Sequence, residues 1–247
     1  MPIRVLLLIL LIAPTATAGE WISLFNGEDL DDWTPKFAKH EAGENIFDTF
    51  RVVDGKLVVT FEDWEHGFDG HFGHLFYTGP VADGGVFGDC RFRAEFRLVG
   101  DQHAGSPKWA FRNNGLMILG QRVEELEVDQ DFPTSVEVQL LAGADNGKPR
   151  ACGNACTPGT VIVLDGELFK PHVVKADGPT VPHEEWAVVE VEVRDGRVTH
   201  FVNGEAVLSY RDPQLDDGTL LTSGTLSLQA ESSPTEFRSV EVMFFDD

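Results

Sequence analysis

The ten residues CRFRAEFRLV, at positions 90–99, alternate between apolar and charged side chains over most of their length. After the cysteine, the apolar positions are Phe92, Ala94, Phe96 and Leu98. The residues between them are arginines and a glutamate, so they fall on the other side of an extended chain. This period of two is typical of a β-strand that buries one face and leaves the other in water.

Similar segments occur along the rest of the chain, and strong hairpin signals lie at three places within or between them. These signals are Asp54-Gly55, Asp195-Gly196 and Asn203-Gly204. The segments themselves are residues 51–60, 135–141, 186–194, 197–202, 206–210, 224–230 and 236–245. We find no convincing helical period over any long stretch. The pattern therefore predicts an all-β sandwich of short strands rather than alternating strands and helices.

The first 18 residues resemble a secretory signal peptide. Arg4 supplies a positive charge, residues 5–13 are apolar, and residues 16–18 are small, as a cleavage site requires. A membrane anchor is the weaker alternative, because spanning a bilayer takes about 20 apolar residues. We expect an exported, periplasmic or extracellular protein with one domain at residues 19–247 and no membrane span after cleavage.

The formal net charge of the 247-residue chain is −22. A surface this acidic repels phosphate backbones and anionic lipids, so nucleic acid is not an expected partner. Export makes a disulfide possible, and Cys152 and Cys156 lie close enough in sequence to staple the polar loop at 142–159. The third cysteine, Cys90, is expected to be a small buried apolar residue.

Several short motifs, taken together, resemble the 3-keto-disaccharide hydrolase family. They occur in the expected order: residues 21–33 (WISLFNGEDLDDW), 50–57 (FRVVDGKL), 92–98, 113–117 (NNGLM), 137–140 (EVQL), 200–204 (HFVNG), 224–229 (GTLSLQ) and 237–240 (FRSV). The resemblance implies a concanavalin A-like jelly roll, a β-sandwich of two curved antiparallel sheets, that acts on an oxidised sugar. Two segments depart from the family pattern: residues 230–235 replace a His-Gly turn, and the loop at 146–159 carries two cysteines.

The segment 135–141 carries candidate catalytic side chains as well as core residues. Val136, Val138 and Leu140 are expected to face the core, so Glu137 and Gln139 share the other face. A retaining glycosidase needs two carboxylates about 5 Å apart, and this strand carries one. A 3-keto sugar needs only a base that removes the proton at C2, and a donor or metal ion that holds the C3 oxygen while the leaving group departs.

The candidate base is therefore Glu137, although a glutamate on a solvated sheet face is an equally good interpretation. Arg112 is the candidate donor to the keto oxygen. The residues expected to bind sugar hydroxyls or stack on the ring are Gln139, Asn113, Asn114, Gln229 and an exposed Trp64. For Asn113, a side chain that holds a turn is the simpler alternative.

The histidines leave open whether the site holds a metal ion. His74 and His172 are the candidate ligands of a divalent cation that would polarise the C3 carbonyl, although their spacing does not require one. The function predicted by these residues is an exported hydrolase or lyase that cleaves 3-keto glycosides by elimination. The alternatives are a non-catalytic carbohydrate-binding module on the same fold and, more remotely, an interaction domain that recognises a protein.

Overall fold

The computed structural model describes residues 19–245, which form two stacked antiparallel sheets. The expected signal peptide at 1–18 lies outside the described residues. Within them, four short 3₁₀ turns are the only helical elements, at Ile46–Asp48, Asp83–Gly85, Lys108–Ala110 and Val123–Glu125. No helix of this part of the chain is long and apolar enough to cross a bilayer.

The described residues contain eighteen strands. They are β1 (Ile22–Ser23), β2 (Trp33–Phe37), β3 (Phe50–Val53), β4 (Lys56–Val59), β5 (Gly73–Tyr77), β6 (Val86–Phe87), β7 (Cys90–Leu98), β8 (Asn113–Gly120), β9 (Val136–Leu141), β10 (Ala155–Cys156), β11 (Thr160–Leu164), β12 (Glu167–Phe169), β13 (Val173–Val174), β14 (Ala187–Arg194), β15 (Arg197–Val202), β16 (Glu205–Leu215), β17 (Gly224–Ala230) and β18 (Thr235–Phe244).

The strand order separates the two sheets. The first sheet runs β12-β11-β16-β15-β14-β7-β18-β4-β3, with β1 also paired to β18. The second runs β13-β10-β9-β8-β17-β5-β2, with β6 also paired to β17. Neighbours in each sheet are often distant in sequence, which is the long-range pairing of a jelly roll and confirms the all-β jelly-roll sandwich expected from the sequence.

The alternating segment CRFRAEFRL forms strand β7. Its apolar side chains are buried, and the residues between them are half-buried. On the outer face, Arg93 and Arg97 pair with Glu241 and Glu236 of the neighbouring β18. The expected hairpins are confirmed as well, since β3–β4, β14–β15 and β15–β16 pair across the three predicted turns.

The second sheet differs from the first because its central strands are buried on both faces. Every residue of β5, β8 and β17 is buried. The inner faces pack into the core through residues such as Leu116, Val138 and Leu228. The outer faces of these strands carry polar side chains. Other segments must therefore cover these faces, and the buried polar groups must find hydrogen-bond partners.

Candidate functional site

A row of paired residues crosses five strands on the outer face of the second sheet, and all but the glycine of β8 carry polar side chains. Gln139 of β9 pairs with Gly115 of β8, and His74 of β5 pairs with both Gln229 of β17 and Lys36 of β2. The pairing of Leu228 with Leu116 places Gln229 beside Gly115. Since strands lie about 4.8 Å apart, the row is about 19 Å long.

One end of this row opens into a pocket of about 390 Å³. Its lining combines two carboxyl groups, two amides, a thiol, an imidazole and two aromatic rings. The lining residues are Trp109, Asn113, Phe132, Glu137, Gln139, Cys156, Pro158, His172, Val173 and Glu231. A concave site with apolar walls and a few convergent polar groups is the usual form of a small-ligand site.

Glu137 lies at the bottom of this pocket with 5% of its surface exposed. It has room there because residue 115 of the neighbouring strand is a glycine: a Cβ atom at that position would lie 2.6 Å from Oε1 of Glu137. Cys156 lies directly opposite on β10, with its thiol beside the carboxylate. Oε1 has no hydrogen-bond partner among the described residues. Burial raises the pKa of Glu137 to about 8, although the neighbouring thiol of Cys156 acts in the opposite direction.

A second carboxyl group, Glu231, reaches the same pocket from the segment after β17. It is 2% exposed, and the amide NH₂ groups of Asn113 and Gln229 donate hydrogen bonds to its two oxygens. Burial and then the charge of Glu137 raise the pKa of Glu231 well above its usual range, while Asn113 and the cation of Arg150 act against that shift. Strand β9 carries one carboxylate, as the sequence indicates, but the pocket holds two, because Glu231 reaches it from the segment after β17.

Aromatic rings form one wall of the pocket and part of its cover. The indole of Trp109 is 58% exposed and stacks on the ring of Phe72, with centroids 5.7 Å apart and an interplanar angle of 16°. Phe72 also packs against Phe132, which meets the imidazole of His74 edge-on. Phe132 thus helps to bury the middle of the polar row, and Trp109 presents a free ring face beside Glu137 and Glu231.

Four of the residues predicted to bind or act on the sugar meet at or beside this pocket. Glu137, Gln139 and Asn113 line it, and Gln229 lies next to it with its amide NH₂ turned towards Glu231. Asn154 donates a hydrogen bond to Oε1 of Gln139, which leaves the Gln139 NH₂ available to a ligand. Oδ1 of Asn113 and Oε1 of Gln229 are buried without a partner among the described residues. Such orphaned groups are typical of a site that completes its hydrogen bonds with a ligand or water.

Two other predicted residues point elsewhere. Asn114 follows Asn113 on β8 and therefore faces the core, where it donates hydrogen bonds to the carbonyl of Gln229 and to Oγ1 of Thr235. Arg112 does not line the pocket: its guanidinium donates hydrogen bonds to the carbonyl of Gly143 and to the carboxylate of Asp145. Both side chains are used in holding the fold.

The expectation that Trp64 is exposed is wrong. Only 6% of its surface is accessible, and its ring packs among Phe37, Phe61 and Phe68. Its indole NH donates a hydrogen bond to Oγ1 of Thr49, which satisfies its one polar group inside the core. The charged neighbours of Trp64 in sequence misled the prediction, because the chain there turns and buries this single ring.

The possible Cys152–Cys156 disulfide is not formed, and all three cysteines are free thiols. Cys152 belongs to the core between the sheets, whereas Cys156 lines the pocket. Burial raises the pKa of both thiols, which keeps them protonated near neutral pH.

The two histidine candidates for a metal ion are not brought together. His74 is fully buried in the polar row, and burial lowers its pKa to about 3, so its ring is neutral. His172 is exposed at the mouth of the pocket. Within residues 19–245, no three His, Cys, Asp or Glu side chains are placed to hold an ion.

Sequence reasoning missed Glu231, Trp109, Phe132 and Cys156. A signal existed for Glu231, since Gln229 and Glu231 stand two residues apart at the end of a predicted strand and so share a face. No comparable signal marks Trp109 or Phe132, which lie outside the strands, in segments whose placement depends on the tertiary fold.

Several solved structures share this fold at low sequence identity. A candidate glycosyl hydrolase from Parabacteroides distasonis ATCC 8503 matches with a TM-score of 0.55 and 18% identity over 92% of this chain and 94% of that one. A Bacillus subtilis protein of unknown function with a galectin-like fold gives a TM-score of 0.55 and 13% identity over 93% and 96%. The carbohydrate-binding module CBM66 from Bacillus subtilis gives 0.50 and 9% over 86% and 95%.

The comparison with curated protein sequences gave no match. By contrast, the sequence pattern of one family extends over residues 20–243, which is nearly the whole described chain and includes both carboxyl groups of the pocket. The chain therefore belongs to the family of 3-keto-α-glucoside-1,2-lyase-like domains.

Proposed function

We propose that this protein is an enzyme that cleaves the glycosidic bond of 3-keto-α-glucosides by elimination across C1 and C2. The observation that carries the proposal is Glu137, a buried carboxyl group at the bottom of a sugar-sized pocket, with one oxygen that has no hydrogen-bond partner among the described residues and with a raised pKa. The family of the chain and the carbohydrate-related proteins that share its fold support a sugar as the ligand.

The first chemical step is the removal of the proton at C2. The carbonyl at C3 makes that proton acidic, so one carboxylate can remove it. Burial makes the ionised form of Glu137 a stronger base than a carboxylate in water, and a base with a pKa near the working pH is the most effective. The C2–H electrons form the C1=C2 bond as the bond from C1 to the leaving oxygen breaks.

Negative charge grows on the C3 oxygen during this step, and hydrogen-bond donors in the pocket stabilise it. The NH₂ group of Gln139 is one such donor, because Asn154 holds the amide in a fixed orientation. Donors that are already oriented need no reorganisation when the charge appears. The addition of water to the unsaturated product would then yield the free 3-keto sugar, so a lyase and a hydrolase share the same first step.

The test is to incubate the protein with a 3-keto disaccharide and to follow the release of the leaving sugar and of the unsaturated keto product. We expect Glu137→Gln to reduce release by at least about 100-fold, the usual contribution of a general base, without loss of the fold. Glu192→Gln is the matched control, since Glu192 lies on the outer face of the first sheet and pairs with Arg91. No release by the unaltered protein would refute the proposal.

A non-catalytic binding module on this fold remains the competing outcome of the same experiment. The exposed ring of Trp109 beside the pocket would serve such a module as well as an enzyme. Binding of the 3-keto disaccharide, measured by calorimetry, without any release of sugar would establish the module and exclude the enzyme.

We also propose that the protein is exported, on the basis of the charged, apolar and small-residue pattern of residues 1–18. Expression of the full chain in a bacterial host with a secretory pathway tests this. The mature protein is expected in the periplasm or medium with Gly19 as its first residue, and a cytoplasmic product that retains Met1 would contradict it.

A further inference from the structure

We propose that Glu231 is the general acid of this reaction and donates its carboxyl proton to the leaving glycosidic oxygen while Glu137 removes the proton from C2. The inference rests on the proposed function and deepens it, since it assigns the second half of the elimination. It concerns a segment, residues 230–235, in which this chain departs from the pattern of its family.

The position of Glu231 follows from the strand pairing. Strand β8 lies between β9, which carries Glu137, and β17, which ends one residue before Glu231. The two carboxyl groups therefore reach one pocket from strands that lie about 10 Å apart on opposite sides of β8. Glu137 is level with Met117, whereas Glu231 lies one residue beyond the level of Asn114. Since β8 carries Gly115 at this point, the two side chains lean over a strand that leaves space for a ligand.

The surroundings of Glu231 favour the protonated form. Its neighbours on β8 and β17 are the amides of Asn113 and Gln229, and the charge it meets from β9 is that of Glu137. The cation that acts against this protonation is Arg150, whose guanidinium donates a hydrogen bond to the carbonyl of Ala142. Two carboxyl groups that share a buried pocket do not both ionise readily, so the pair holds one proton when Glu137 is the base.

The atoms and charges balance with this pair alone. Glu137 gains the C2 proton, and the C2–H electrons become the C1=C2 bond. The C1–O bond breaks, its electrons stay on the leaving oxygen, and Glu231 supplies the proton that makes this oxygen a hydroxyl. The pair begins with one proton on Glu231 and ends with one on Glu137, so a proton exchange between them or with water resets the site.

The test compares two 3-keto-α-glucosides that differ only in their leaving group, one a sugar and the other 4-nitrophenol. A sugar oxygen needs a proton to leave, whereas 4-nitrophenolate leaves without one. We expect Glu231→Gln to lower kcat/KM at least about 100-fold for the sugar leaving group and less than about 10-fold for 4-nitrophenol, after subtraction of spontaneous release. Glu137→Gln should lower both alike, because both substrates need the base.

Each result has a defined meaning. An equal loss on the two substrates, or no loss on either, would overturn the role of Glu231. No cleavage of either substrate by the unaltered protein would refute the proposed function itself. If Glu231→Gln does not fold, the size-matched variants Glu231→Asp and Glu231→Asn replace it. The Glu231→Asp variant is then expected to cleave the keto-disaccharide at least about 10-fold faster than the Glu231→Asn variant. Equal rates would overturn the proposal.

Discussion

Glu137 on β9 occupies the space that a side chain at Gly115 on β8 would fill. A Cβ atom at residue 115 would lie 2.6 Å from Oε1 and 2.7 Å from Cγ of Glu137. The carboxyl group of Glu137 on β9 thus fills the space over β8 that the missing side chain of Gly115 leaves free. This is how a buried acid fits on a face where every residue of β8 is covered.

Substitution of Gly115 by alanine is expected to push Glu137 out of its place. Because the clash involves Cγ as well as the flexible end of the side chain, the carboxyl group must move by about an ångström, and a displacement of this size reduces turnover about 10- to 100-fold. Steady-state kinetics on the keto-disaccharide measure the effect. Gly88→Ala is the control, since a Cβ at that position would make only an ordinary contact with Thr222.

The pH profile should lie above the range of an ordinary carboxylate enzyme. Burial raises the pKa of Glu137 to about 8, so the base is mostly protonated at pH 6 and kcat/KM should rise about tenfold per pH unit up to that pKa. The loss of the second proton of the pair, which Glu231 holds, should cause a fall at higher pH. An acidic limb near pH 4.5 would contradict this assignment. With the 4-nitrophenyl substrate, whose leaving group needs no proton, the acidic limb should remain and the alkaline limb should be absent.

Removal of the exposed ring of Trp109 is expected to weaken substrate binding. The ring lines the pocket and stacks on Phe72, which leaves one face free for a sugar ring. Trp109→Ala should raise KM about tenfold, or about 1.4 kcal/mol, with little change in kcat. Trp186→Ala is the matched control, because Trp186 lies on the first sheet beneath Arg97 and Arg238. A fall in kcat without a change in KM would place Trp109 in the chemistry instead.

The two carboxyl groups should reduce stability as the pH rises. Their pKa values are raised in the folded protein, so their contribution is fully present below the unfolded pKa of 4.5 and is lost as the pH climbs through the folded value. Each group that stays protonated reduces the free energy of unfolding by about 1.4 kcal/mol per pH unit in this window. Thermal unfolding should therefore show Glu137→Gln and Glu231→Gln more stable than the unaltered protein at pH 8. An equal difference at pH 5 and pH 8 would contradict this cause.

The strands and their turns could be predicted from the sequence because their signals are local. The alternation in β7 and the Asp-Gly and Asn-Gly turns depend on residues within a few positions of one another. The same reasoning assigned Glu137 and Gln139 to the non-core face of β9. It could not tell whether that face is open to water, since Phe132 and Trp109 reach it from segments without a regular pattern.

The wrong expectations have a common cause. Trp64 was placed by its charged neighbours and Cys152 by its closeness to Cys156, yet the direction of each side chain is set by the local path of the backbone. Arg112 and Asn114 likewise adjoin Asn113 in sequence but point to Asp145 and into the core. Adjacent residues of an extended chain face opposite ways, so closeness in sequence does not place side chains in one site.

By itself the sequence determined the all-β class, the family resemblance and one candidate base, because periodicity, turn chemistry and motif order are properties of short segments. Only the tertiary structure decided that Glu137 has a partner. Glu231 directly follows another strand, β17, and the two carboxyl groups reach one pocket because β9 and β17 both pair with β8, whose glycine leaves the space between them open. Pairing between distant strands depends on how the whole sandwich packs, and no local pattern encodes it.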